Sequence, residues 1–313
     1  SGDNACPPEP PVMQKSHRQV MSLDKSDGEE ARALFERVRK FRSHCESSSV
    51  TFKVYLAQTL FKLLLVTLIL SESRLLEESL ERCWGEDKLH AMTSVDADGC
   101  SRLQLVALPR LPSAVFTLSQ LQVLELELIL DARFTAQVYN MTSLRELHLH
   151  HCCPSVDPGA HAVLQERLEV LQITFAQASQ IPNWAFSLRG LHELHLSGRF
   201  SAFNQVLTLP HSVGVLRGLE LLDLSNNHLR SLPPALFTLR RLRRLLLAGN
   251  LLVELPPAVK ELKLLTELDL SGNRLESLPS DLFNSCLELR VLNVAHNSLG
   301  SLPGGIAALK RLS

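Results

Sequence analysis

The chain has 313 residues, 45% of them hydrophobic, with 32 basic against 33 acidic side chains and a formal charge of −1. That length allows a large core. The near-zero charge lacks the electrostatic footprint of a nucleic-acid-binding protein, so no nucleic-acid partner is expected.

Residues 1–25 are polar and rich in Pro and Ser, and are expected to be disordered. No signal peptide is visible, and the opening at Ser1 rather than Met suggests that residues precede it. Ser26 and Glu29 can form a capping box. Behind them Ala31, Leu34, Phe35, Val38 and Phe41 make one apolar stripe, with Arg37, Arg39, Lys40 and Arg42 on the other faces. Residues 26–50 are thus predicted as a basic amphipathic helix. By itself it suits either a solvated surface or a cytoplasmic juxtamembrane position.

An apolar run follows at 52–70. From Val54 to Leu70 it falls short of the about 20 residues that a bilayer span needs, and Gln58 and Lys62 interrupt it. A Lys at that depth costs ~2.5–3.5 kcal/mol unless it snorkels. This is a marginal or partial transmembrane helix, with the basic residues at 37–42 placing its N-terminal side in the cytoplasm. Residues 71–99 are acidic and helical in pattern. They suit a helical N-terminal cap, with Trp84 packed inside it.

From 100 to 313 the pattern L-x-x-L-x-L recurs with a period of about 23 residues, in frames beginning at Cys100, Leu121, Leu144, Leu168, Leu191, Leu219, Leu242, Leu265 and Leu289. This is a leucine-rich-repeat solenoid of about nine repeats: an α/β horseshoe with a parallel inner sheet. Each L-x-L core is a short strand with one buried face. Asn227, Asn250, Asn273 and Asn297 fall where the chain leaves the strand, and their amides can pair backbone groups there as a structural ladder. The earlier frames carry Leu108, Ile129, Cys152, Ala176 and Arg199 instead. Leu-Pro pairs at Leu232, Leu255, Leu278 and Leu302 close the turn and open a short convex helix, with looser versions at Leu111-Pro112 and Ile181-Pro182. The longer step from Leu191 to Leu219 reads as a surface insertion at 200–209. No polar cap follows Leu309, so the array reads as truncated at its C-terminal end with an exposed apolar edge.

The seven cysteines show no C-x-x-C spacing and do not cluster at the ends of the array, so free thiols in a reducing cytosol are expected. Cys100 takes a leucine position and reads as a small buried hydrophobe.

The middle x of L-x-L builds a concave column: Glu125, His148, Gln172, His195, Asp223, Leu246, Asp269 and Asn293. A second column holds Glu127, His150, Thr174, Ser197, Ser225, Ala248 and Ser271. The candidate binding face is therefore Glu125, Glu127, His148, His150, His195, Asp223 and Asp269. At ~4.8 Å per strand, His148 and His195 lie about 10 Å apart, too far for a shared metal. The face is expected to bind a partner or to respond to pH, with no metal and no cofactor. Arg240, Arg241, Arg243 and Arg244 form a basic knot, either solvated or facing an acidic partner or lipid headgroup. No phosphate loop, Ser-His-Asp order or supported carboxylate pair is present, so no enzyme is expected.

The order of these parts resembles the leucine-rich-repeat subunits of the volume-regulated anion channel. The residues that carry the resemblance are GEEARALFERVRKFRSHCE (28–46), VYLAQTLFKLLLVTLIL (54–70), SESRLLEESLERCWGEDKLHAM, LPRLPSAVFTLSQLQVLELELI (108–129) and IPNWAFSLRGLHELHLSG (181–198). The resemblance implies a plasma-membrane location, repeats in the cytoplasm, and sister subunits as partners in a homo- or hetero-hexamer. Two spans, the selectivity ring and the fourth span have no counterpart here, which implies a partial subunit: a fragment or splice form. The alternative is a soluble cytoplasmic scaffold whose concave face binds signalling proteins. Residues upstream of Ser1 would separate the two.

Overall fold

The computed structural model describes residues 81–106, 108, 110–129, 131–174, 182–198 and 208–309. The readings at 1–25, 26–50 and 52–70, including Val54, Lys62 and Leu70, lie outside the described residues, as do Ala176 and Arg199. The chain divides into two compact units, one of residues 1–143 with 149–157 and the other of 144–148 with 158–313.

In the first unit a short helix, α1 (Glu86–Met92), buries Leu89, and Trp84 is packed just before it with Lys88 Nζ 4.2 Å above its ring. Helix gives way to strand within the expected helical cap: β1 (Ser94–Val95) runs antiparallel to β2 (Ser101–Val106). Strand β2 pairs in parallel with β3 (Val123–Glu127), so that Leu103 faces Leu124 and Leu105 faces Leu126, all fully buried. The repeat pattern thus becomes a ladder of like on like. A small parallel sheet, absent from the sequence reading, joins β4 (Ala132–Phe134) to β6 (Pro154–Val156). Ala132 and Phe134 are buried there. Between them in sequence, β5 (Glu146–His150) gives its last two residues to this unit and the others to the second.

The second unit holds the strands β7 (Val170–Thr174), β8 (Glu193–Ser197), β9 (Leu221–Asp223), β10 (Arg244–Leu246), β11 (Glu267–Asp269) and β12 (Val291–Asn293), each parallel to the next. Leu171, Leu194, Leu222, Leu245, Leu268 and Leu292 lie side by side through the register. The first five of these are fully buried; Leu292 is half-buried. Removing one buried leucine to Ala in such a spine costs about 2–5 kcal/mol. Helix α2 (Pro158–Arg167), also unforeseen, precedes β7 and buries Ala160 and Leu164. The later repeats return through 3-10 turns at Pro234–Thr238 and Pro257–Glu261, where the second proline of each pair opens the turn. At the next return a short α-helix, α3 (Leu282–Ser285), takes over.

The expected insertion at 200–209 needs correction at its end. Leu209 is buried and Pro210 caps the turn His211–Val215. They are the repeat's own Leu-Pro, in the place that Leu232-Pro233 and Leu255-Pro256 hold in later returns. The thiol expectation also needs correction. Cys83 is disulfide-bonded, whereas Cys100, Cys152, Cys153 and Cys286 are free. Cys100 is only half-buried; Cys286 is the buried one.

The four asparagines perform a repeated piece of chemistry. Asn250 Oδ1 accepts from the Asn227 and Leu229 N–H groups, each at 3.0 Å, and its Nδ2 donates to Leu224 O and Leu247 O at 3.0 and 2.9 Å. Asn273 repeats the pattern with Leu252 N, Leu247 O and Leu270 O. Asn297 does so with Leu275 N, Leu270 O and Val294 O. Every bridge links one repeat to the one before. In the first unit Cys152 holds the same frame position, and its thiol reaches the carbonyls of Leu126 and His150 at 3.4 and 3.3 Å. Burial pushes that thiol up to about 12. It stays protonated and serves as a weak donor.

The residue before six of these frame positions is held at positive φ: Leu128, His151, Asn226, Gly249, Gly272 and His296. At Gly249 a Cβ would come within 2.3 Å of Asn226 Oδ1, so glycine there satisfies both the φ of 67° and the close approach.

Asn250→Ala strands buried backbone groups on both sides and should lower stability by roughly 3 kcal/mol, against roughly 1 kcal/mol for the half-exposed Asn297→Ala. Urea unfolding of the two variants checks the difference; equal losses would show that the ladder does not act through burial.

Candidate functional site

The outward face of the strands carries the candidate residues. In the first unit Glu125 is the meeting point. It accepts from Gln104 Nε2 at 3.3 Å and lies 3.8 Å from Arg102 Nη1 and 3.9 Å from His150 Nε2. Arg102 also reaches Asp96 at 3.8 Å. Glu127 stands opposite Val106 on the neighbouring strand. His151, at its φ of 54°, is pushed down by burial and then by the charge of His150.

In the second unit the register places Gln172, His195, Asp223, Leu246, Asp269 and Asn293 in one row across six strands. His148 belongs to this unit, with its Nε2 3.3 Å from Glu146. His195 sits between two carboxylates, its Nδ1 3.5 Å from Asp223 and its Nε2 3.4 Å from Glu193. The hydrogen bond to Asp223 leads in raising its pKa; burial opposes it and Glu193 assists. For Asp223 burial is the largest single effect and acts upward, but hydrogen bonds from His195 and Ser225 together hold it below the ordinary carboxylate value. Asp269 is tied down in a similar way. Its Oδ1 accepts from Ser271 N at 2.9 Å and from Ser271 Oγ at 2.7 Å, and Asn293 Nδ2 donates to its Oδ2 at 3.5 Å.

The sequence columns thus bring together His195 with Asp223, Asp269 with Asn293, and Glu125 with His150. What they did not supply is Glu193, the second carboxylate on His195, and Arg102 and Gln104, which hold Glu125. Glu193 lies two residues before His195, and side chains at i and i+2 share a strand face. That spacing was the available signal. Among the described residues no three His, Cys, Asp or Glu side chains converge as a metal ion requires. The candidate residues offer oriented carboxylates and three imidazoles beside acids, of which His195 is held between two. Such a surface suits a polar or basic partner more than a transferred group.

Comparisons with known proteins bear on the rest. The family model described as "Pannexin-like TM region of LRRC8" matches residues 3–111, and two leucine-rich-repeat models match 218–239 and 263–313. The volume-regulated anion channel subunit LRRC8D of Rattus norvegicus is 27% identical over 66% of this chain and 38% of its own length. Subunit LRRC8A of Homo sapiens is 36% identical over 50% of this chain and 19% of its own, and LRRC8E of Xenopus tropicalis is 35% identical over 50% and 20%. The chain thus spans well under half the length of these relatives. Among solved structures, a leucine-rich-repeat protein of Leptospira interrogans superposes with a TM-score of 0.54 at 27% identity, over 66% of this chain and 50% of its own. TLR13 in its ssRNA13 complex gives 0.54 at 27%, over 68% and 31%. The chain carries a leucine-rich-repeat solenoid and is similar, over part of its length, to volume-regulated anion channel subunits.

The pH dependence follows from the His195 site. His195 holds its proton more tightly folded than unfolded, so its contribution is complete below the ordinary value of 6.5 and is lost as pH rises through the higher folded value. Asp223 works the other way: its contribution is present above 3.8 and lost as pH falls through its lower folded value. The pair is worth most between about pH 4 and 6.5. His195→Gln should narrow the stability gap to the parent chain as pH rises from 6 to 8.5. Thermal unfolding at matched ionic strength measures that gap, and a gap unchanged across the window contradicts a raised His195.

Proposed function

We propose that the chain works as a partial subunit of a volume-regulated anion channel, with its repeats as a cytoplasmic regulatory and assembly domain. The match of residues 3–111 to the channel's membrane-region model carries this reading. It runs without a break into α1, β1 and β2, so the membrane-type segment and the first repeat are covered by one continuous resemblance. Sister subunits at the plasma membrane are the natural partners. The protein acts by binding rather than by catalysis.

A second reading is a soluble repeat scaffold for cytoplasmic signalling proteins. It is favoured by Gln58 and Lys62, which weaken the apolar run at 54–70. No helix among the described residues is long and apolar enough to cross a membrane; 54–70 lies outside them.

Carbonate extraction of the expressed chain separates the two. The channel reading expects recovery in the membrane pellet and co-purification with a full-length sister subunit. Lys62→Leu should raise the pelleted fraction, since it removes a cost of ~2.5–3.5 kcal/mol, and Leu64→Arg should lower it. Release of the parent chain into the supernatant, with no sister subunit bound, would favour the scaffold.

A further inference from the structure

We propose that one edge of the second unit docks on the headgroup layer of an anionic membrane. The edge is the turn by which each return enters its strand. Arg217, Arg240 and Lys263 occupy the same place in three successive turns, each donating its backbone N–H to the carbonyl two residues back, at 2.9, 2.9 and 3.0 Å. The following strands are locked in register by bonds such as Arg243 N to Glu220 O and Thr266 N to Arg243 O, at 2.8 and 2.7 Å. The three cations therefore form a row with roughly one strand spacing, ~4.8 Å, between neighbours. All three are exposed.

Two features choose a bilayer over an acidic polypeptide. The first is that the row continues into apolar residues: Leu287 holds the next equivalent position and is 57% exposed, and Leu264, beside Lys263, is 38% exposed. Basic residues interleaved with exposed leucines are the composition of an interfacial surface, where aliphatic groups enter the headgroup boundary and cations meet lipid phosphates. The second is that the charges are available. Arg217 and Lys263 make no ion pair among the described residues. Arg240 and Arg241 touch Glu261 and Glu220 at 3.9 and 3.6 Å, but they are 77% and 64% exposed, so those pairs hold them weakly. The equivalent turns of the first unit carry Ser119 and Thr142, so the basic row belongs to the second unit.

The test uses the full chain and two sets of vesicles, phosphatidylcholine alone and phosphatidylcholine with 30% phosphatidylserine. The neutral vesicles measure whatever the 54–70 run contributes, so the result stands apart from the channel reading. The parent chain should co-sediment more strongly with the anionic set, and the excess should fall as salt rises. Arg217→Glu with Lys263→Glu, which breaks no ion pair, should reduce that excess at least about tenfold. Arg230→Glu with Arg274→Glu, matched in charge but outside the row, should leave most of it. Leu264→Trp or Leu287→Trp should gain fluorescence quenching by brominated acyl chains over the parent background. Equal binding to both vesicle sets overturns the proposal. So does anionic binding that polyglutamate abolishes and bromine does not report, which would identify an acidic polypeptide as the occupant.

Discussion

A parallel strand of three residues cannot bury its own leucines. Leu222 and Leu224 are fully covered because Leu245 and Leu247 lie beside them, and these in turn because Leu268 and Leu270 do. The burial of each repeat is therefore a property of its neighbours. The backbone faces the same constraint, for the turn leaving each strand carries amide groups that no local partner satisfies. Asn227, Asn250 and Asn273 answer it with side chains almost wholly buried, each tying its own turn to the repeat before. Aliphatic stacking supplies the driving force, and the amide bridges prevent that stacking from leaving buried groups unpaired.

Much of this was legible in the sequence because like stacks on like. A residue that recurs every 23 or so positions meets its own kind, and so the Leu frames gave the register of β7 to β12 and the Asn positions gave the ladder. The parts that escaped share a cause. The sheet of β4 with β6 and helix α2 fall where the first frames lose both Asn and Leu-Pro, so no periodic residue marked them. Cys152 shows how the ladder survives that loss, with a thiol reaching the cross-repeat carbonyl that an amide would take. Leu209-Pro210 was hidden by the longer step between frames, although its chemistry is that of the returns at Leu232-Pro233 and Leu255-Pro256.

The charged residues obey a different logic. On the strand face three acids are engaged locally: Asp223 by His195 and Ser225, Asp269 by Ser271 and Asn293, Glu125 by Gln104 and Arg102. Such a face is pre-set rather than bare, since its carboxylates are already oriented and partly desolvated. At the turn edge the cations are long, exposed and loosely held. The two surfaces suit different partners for that reason. An ordered polar face selects by geometry, whereas a row of exposed cations selects by charge density.

The core and these surfaces are also separable in the sequence itself. Along one row of the second unit the outward residue changes from Gln172 to His195, Asp223, Leu246, Asp269 and Asn293, while the leucines on either side hold their register without a slip. Nothing in the stacking of aliphatic groups constrains that outward position. It follows that likeness between repeat arrays reports mainly on the spine, which is why a bacterial repeat protein and a TLR13 complex superpose on this chain equally well. The match at 3–111 is different in kind, because most of it precedes the first repeat frame at Cys100. The likeness to channel subunits therefore draws on a part of the chain that the spine does not explain, and what the chain touches has to be read from residues that the fold leaves free to vary.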